Sequence, residues 1–353
     1  MEKKGNLTAL TALKGLFILI IVIHNTLSVT RLFTQVPGTA FIVRFGGTLG
    51  NSMFFLLSGY LISAGYKTRI LEHTVPFPAY LLRRLRKLYP MYILSNAAAL
   101  LVELVRYGVS ALNIEKAILT ILLLSGGYNS PTWFLCILFR CYIVYFVVAY
   151  FAKSSTHYLS WLSLCVLGGY ILAMGNWNLP FFTGGCGNGF MNFFLGCILA
   201  EVYPVISEKL HRWLQPLFLV LLPLLSYLML AYGVEIIGGN LKVAFGFVLC
   251  PMALYLALAK GPCSWILQRK WLVALGKISS SIFFWHMVLY FVFCDVYTLI
   301  TRGKQVQEPQ YLLYFVLMIA LSAGFTQLEK TGWLQSRPCN IPVPETSDLT
   351  GNG

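Results

Sequence analysis

LTALKGLFILIIVIHNTLSV, residues 10–29, decides the fold. From Leu16 to Ile23 no polar residue interrupts it. A helix needs about 20 mostly apolar residues to cross the hydrocarbon core of a bilayer, and this segment supplies them. It is longer than the apolar stretch of a secretion signal and no small-residue cleavage site follows, so it is read as a retained helix. Ten more apolar blocks lie at Phe45–Tyr66, Leu88–Val105, Ala117–Leu124, Trp133–Phe151, Leu159–Met174, Phe190–Tyr203, Leu214–Tyr232, Val243–Ala259, Ile278–Ile300 and Tyr311–Gly324. Of the 353 residues, 58% are hydrophobic and 11% charged, against about 25% charged in a soluble protein. So little charge cannot cover a soluble core. The expected fold class is all-α, a polytopic transmembrane helix bundle, with one membrane domain over residues 1–335. Residues 336–353, polar and with three prolines, are expected to form a disordered cytoplasmic tail.

Lys and Arg number 26 and Asp and Glu 12, a net charge of +14. In a soluble chain that balance would suggest nucleic acid. Here the basic residues gather between apolar blocks, as they do in cytoplasmic loops, and no nucleic acid partner is expected. Lys3 and Lys4 precede the first block, and Lys67, Arg69, Arg83, Arg84, Arg86 and Lys87 lie between the second and third. Both segments are therefore placed on the cytoplasmic side. The short fourth block sets the rest. If Ala117–Leu124 spans, Lys153, Lys209, Arg212, Lys260, Arg269, Lys270 and Lys277 all fall outside. If it stays at the outer surface they fall inside, with Lys330 and Arg337, at the small cost of Arg302 and Lys304 outside. The second arrangement obeys the charge rule and gives ten spans with both termini cytoplasmic; eleven is the alternative. The outer segments 125–132 (SGGYNSPT) and 176–189 (NWNLPFFTGGCGNG) are suited either to a polar, sugar-like surface or to tight connection.

Polar residues at bilayer depth are costly and are functional candidates by default. Lys14 and His24 share the first helix, about 15 Å apart along its axis and about 80° apart around it. His24 is suited to take a proton from a hydroxyl near neutral pH, or equally to bond a neighbouring helix. Lys14 either snorkels to the headgroups or holds a phosphorylated donor. His286, near the middle of Ile278–Ile300, is a second buried histidine. The acidic candidates Glu103, Glu201 and Asp295 are not placed beside either histidine by the sequence. Arg83-Arg84-Leu85-Arg86-Lys87 is a membrane anchor or a cationic site for phosphates, which arginine binds through two parallel hydrogen bonds. Six cysteines, Cys136, Cys141, Cys165, Cys197, Cys250 and Cys294, lie inside apolar blocks without the paired spacing of a zinc site, so they are read as small core residues and no metal is expected.

Five segments, in order, resemble the acyltransferase 3 family of integral membrane acyltransferases. Leu13-Lys14-Gly15 with His24 is similar to its first-helix motif of a basic residue and a histidine. Phe54-Phe55-Leu56-Leu57-Ser58-Gly59-Tyr60-Leu61-Ile62, Arg83 through Pro90, and Thr132-Trp133-Phe134-Leu135 resemble three internal motifs. Leu275-Gly276-Lys277-Ile278-Ser279 through Phe284-Trp285-His286 is similar to the closing one. The resemblance covers about residues 8–325. It implies acyl transfer, usually of acetyl, from acyl-coenzyme A to a hydroxyl of a carbohydrate such as a cell-surface polysaccharide or its lipid-linked precursor. It implies that His24 is catalytic with Lys14 as its basic partner, and that Arg83, Arg84, Arg86 and Lys87 hold acetyl-CoA. Ser58, Trp133 and His286 are candidates for the substrate cavity. The expected setting is the bacterial cytoplasmic membrane, with membrane lipids as neighbours; the sequence is silent on oligomeric state. Three departures stand out. The Lys14–His24 spacing is one residue shorter than usual, which turns the pair by about 100°. Ser52 stands where many members have Asp, and the mid-chain helix carries Arg140 in place of a Glu. A rival reading is a multispan transporter or flippase that acylates nothing; against it, no inverted repeat of broken helices is visible.

Overall fold

The computed structural model describes residues 2–30, 32, 33, 36, 38–175, 184–237 and 245–330. Among them are thirteen α-helices and no strand. Seven contain segments long and apolar enough to cross a membrane: α1 (Glu2–Thr30), α2 (Thr39–Leu71), α3 (Phe77–Tyr107), α5 (Trp133–Phe151), α6 (Ser155–Met174), α12 (Ser279–Ile300) and α13 (Glu308–Lys330). The others are α4 (Ile114–Ile121), α7 (Gly184–Val202), α8 (Glu208–Ile237), α9 (Cys250–Leu258), α10 (Pro262–Leu267) and α11 (Lys270–Lys277). The apolar block at 190–203 falls within α7 but for its last residue, and that at 214–232 falls within α8. The described part of 243–259 begins as a π-helical turn, Phe245–Leu249, that runs into α9. The expected tail, 336–353, and residues 176–183 of the Gly- and Asn-rich segment lie outside the described residues.

The fourth apolar block overlaps the eight-residue helix α4 and ends three residues beyond it; α4 is started by Asn113, whose side chain accepts the Lys116 N–H at 2.8 Å. Eight residues rise about 12 Å, less than half of a hydrocarbon core about 30 Å thick, so α4 by itself does not cross. On the longer helices, whole faces of large apolar side chains stay uncovered: Leu101 and Val105 of α3, Leu164 and Leu167 of α6, Leu312 and Val316 of α13 are all exposed. In water such patches would associate; in lipid they are satisfied. Helices of this length and composition point to a protein embedded in a membrane.

The helices that build the site are held by close backbone packing. Gly59 of α2 and Gly196 of α7 sit where the two helices cross. A methyl group on Gly59 would run into the Phe193 carbonyl, and one on Gly196 into the Leu56 carbonyl. In lipid, where no hydrophobic force separates helix from tail, small residues that admit close contact are the usual glue. Gly15 of α1 and Gly276 of α11 make a second crossing of this kind. In α3, Pro90 has no N–H to give the Arg86 carbonyl and its ring crowds that group, so the helix is weakened just past the basic run.

Candidate functional site

Of the cavities among the described residues, two follow one another along α1, α2 and α12. The first, about 200 Å³, is lined by Lys14 of α1, Phe54 and Ser58 of α2, Arg84, Lys87 and Leu88 of α3, Phe134, Leu138 and Tyr142 of α5, and Ser279, Ser280, Phe283 and Phe284 of α12. The helical repeat explains which part of the basic run faces it. Positions three and four apart share a face, so Arg84, Lys87 and Leu88 point inward together. Arg83 and Arg86 fall on the exposed side and line no described cavity. Lys14, Arg84 and Lys87 have no carboxylate partner among the described residues. The Arg84 guanidinium lies 4.6 Å from the Tyr66 ring centre, and its buried Nε has no hydrogen-bond partner. A buried donor left unpaired costs about 1–3 kcal/mol, so the cavity is built to gain by binding an anion.

The second cavity, about 230 Å³, is lined by Ile21, Asn25, Ser28 and Val29 of α1, Asn51 of α2, Phe283 and Met287 of α12, and Ser130, Pro131 and Trp133 at the start of α5. Its polar lining is amide and hydroxyl, which hydrogen-bonds neutral hydroxyl groups. A buried network holds its loop in place. The Asn129 N–H donates to the Asn96 side chain at 2.9 Å, and its side-chain amide donates to the Phe284 carbonyl at 2.7 Å. The Thr132 hydroxyl donates to the carbonyls of Gly126 and Asn129. Trp133 lies against Gly126 and Gly185, where side chains would collide with it.

The structure thus brings Lys14, Ser58, Arg84 and Lys87 into one cavity and Trp133 into the other. The two histidines stand beside them. His286 is buried. Its Nδ1 faces the carbonyls of Ile282 and Phe283 at 3.0 and 2.9 Å, and its Nε2 meets the Asn25 amide nitrogen at 2.9 Å. Carbonyls only accept, so Nδ1 carries the hydrogen and Nε2 accepts from Asn25. His286 therefore lines neither cavity; it aims Asn25, which does. His24 directs Nδ1 at the Ile42 carbonyl, 3.2 Å away, which leaves Nε2 as the basic nitrogen by the same argument. The ring lies against Gly47 of α2, where any side chain would strike it, and the His24 Cβ lies close to Gly46. Ser28 is one helical turn from His24 and Asn51 one turn from Gly47, and both line the second cavity. His24 itself borders that wall without being one of its lining residues.

The acidic candidates are engaged elsewhere. Glu201 pairs with Lys67, Asp295 with Arg106 at 2.8 Å, and Glu103 stands 4.0 Å from Lys116. Ser52 is buried and accepts from Asn188 and Asn192 of α7 at 3.1 and 3.3 Å. Arg140 donates to the Leu124 carbonyl and reaches Cys186. Cys136, Cys141, Cys197 and Cys250 are buried as small core residues, with Cys165 and Cys294 partly so. Sequence reasoning missed Asn25, Ser28, Asn51, Ser279 and Ser280. The signal was present, since each is a polar residue in or beside an apolar block, but uncharged side chains interrupt such a block less visibly than ionisable ones.

No curated protein and no solved structure matches the chain. A family model described as an acyltransferase domain matches residues 7–327, nearly the whole chain. The basic cavity, the amide-lined cavity and the histidines at their borders are therefore features of a membrane protein that belongs to the acyltransferase 3 family.

Proposed function

We propose that this protein transfers an acyl group, acetyl in the simplest case, from acyl-coenzyme A to a hydroxyl of a carbohydrate, either a cell-surface polysaccharide or its lipid-linked precursor. One observation carries the reading: a cavity lined by three cations that have no carboxylate partner among the described residues lies, on the same helix faces, next to a cavity lined by amides and hydroxyls. The first suits the phosphates of a coenzyme A donor. Arg84 supplies a planar pair of donors and Lys14 and Lys87 supply point charges. The second suits a sugar. The positive-inside rule puts the basic cavity on the cytoplasmic side, where acyl-coenzyme A is found, and gives ten spans with both termini cytoplasmic; reporter fusions at residues 72 and 330 test that orientation.

In the reaction, the acceptor oxygen attacks the thioester carbon while the His24 Nε2 takes the hydroxyl proton. The new C–O bond forms, the C–S bond breaks, and the imidazolium returns the proton to the thiolate of coenzyme A. Positioned general bases contribute about 10²–10⁴ in rate. His24→Ala should therefore lower transfer of labelled acetyl from acetyl-CoA to membrane glycan by at least about 10², with the protein present at wild-type level. Transfer unchanged in that variant sinks the mechanism.

A further inference from the structure

Helices α1, α2 and α12 line both cavities with one continuous stripe each. On α1 the stripe runs Lys14, Ile21, Asn25, Ser28; on α2 it runs Asn51, Phe54, Ser58; on α12 it runs Ser280, Phe283, Met287. These steps of three, four and seven residues keep to one helix face. Lys87 is exposed at one end, and Ser28 and Ser130 are exposed at the other. Lys14 and Ser28 are about 21 Å apart along the α1 axis at 1.5 Å per residue. The two cavities thus follow one another along the same helix faces. Phe283 lines both. Its ring meets Phe134 edge-on, with centroids 5.5 Å apart and planes at 62°, and its backbone is fixed by the His286 bond to its carbonyl.

The geometry points to Phe283 as a septum that closes the way between the two cavities to hydrated groups and limits the length of acyl chain that is transferred. The chain-length part rests on the acyl-coenzyme A reading above; the septum does not. A charged or sugar group passing an aromatic barrier sheds water without new hydrogen bonds, which is costly. A short neutral acyl group is not so penalised. On the donor side Phe54, Phe134 and Phe284 line the cavity together with Phe283, so a longer chain directed at the septum meets aromatic rings. Shortening Phe283 joins the cavities. Water from the amide side then reaches the thioester. Its oxygen bonds to the acyl carbon, the C–S bond breaks, one proton goes to the coenzyme A sulfur, and the free acid leaves.

The test uses the full-length protein in membrane vesicles of each orientation, with Ser58→Cys as a reporter and the Ser58 parent as background. A membrane-impermeant, charged methanethiosulfonate should modify the reporter from the basic-cavity side alone. Adding Phe283→Ala should make it react from the opposite side as well, at least about tenfold faster than before. Phe283→Trp should stay one-sided. Retained labelling from the basic side shows that the variant is folded; if Phe283→Ala loses it, Phe283→Leu takes its place with the same expectation. Labelling that stays one-sided in the folded variant overturns the septum. In a second arm, coenzyme A release from hexanoyl-CoA relative to acetyl-CoA should rise at least about tenfold in the variant, the scale on which apolar pockets discriminate chain extensions. An unchanged ratio with two-sided labelling overturns the chain-length role. If wild type consumes neither thioester while the Ser58→Cys reporter labels as expected, the donor reading fails and the septum stands.

Discussion

Replacing Arg84 with glutamine separates binding from folding. In the empty protein, the Arg84 ring contact with Tyr66 at 4.6 Å stabilises by about 0.5–2 kcal/mol. Its buried, unpartnered Nε costs about 1–3 kcal/mol. The two nearly cancel, so Arg84→Gln should leave the Tm in detergent close to that of wild type. With donor bound, a hydrogen bond to a charged phosphate is worth about 1.5–3 kcal/mol. Its loss raises the KM for acetyl-CoA about ten- to 150-fold, with kcat largely kept, since the contact is equal in ground and transition states. Arg84→Lys keeps the charge without the fork and should fall between. The assay is the initial rate of acetyl transfer by membranes over a range of acetyl-CoA, with Arg83→Gln alongside. Arg83 is exposed and lines neither cavity, so its loss should matter much less. Donor KM unchanged in Arg84→Gln, or an equal effect from Arg83→Gln, refutes the assignment.

Two further outcomes follow from the packing. His286→Ala removes the acceptor of the Asn25 amide and leaves a void in the core, so it should cost about 3 kcal/mol or more and lower both Tm and kcat; a wild-type Tm contradicts the structural role given to His286. Gly59→Ala should destabilise by about 1–3 kcal/mol, because the methyl meets the Phe193 backbone in a seam that cannot give. Gly65→Ala, on the same helix with open space beside it, should be neutral or slightly stabilising. Equal Tm values for the two alanine variants would show that the α2–α7 crossing is not close-packed.

The fold class was legible because bilayer thickness converts directly into run length. The apolar blocks reappear as helices, and Ala117–Leu124, already too short, overlaps α4. Half of the basic run was legible as well. The spacing of Arg84 and Lys87 could have placed them on one face, but nothing in the chain says which face looks inward. The histidines were found by their cost in lipid, yet that rule does not tell a residue lining a cavity from one holding a neighbour. His286 proved to be the second kind. Asn25 and Asn51 were passed over because uncharged amides break an apolar run less visibly than lysine does. Phe283 was beyond reach, since an aromatic residue in an apolar helix gives no signal until two cavities are seen to share it.

The Asn129 bond to the Phe284 carbonyl ties the loop that precedes α5 to α12 one residue beyond Phe283. That loop carries Ser130, Pro131 and Trp133, which shape the amide-lined cavity. Asn129 is also clamped to Asn96 of α3, so the loop cannot move outward alone. It either breaks a buried bond or drags the α12 backbone with it. The wall of the amide-lined cavity and the Phe283 ring between the cavities thus form one mechanical linkage, and a change in the shape of either is felt at the other.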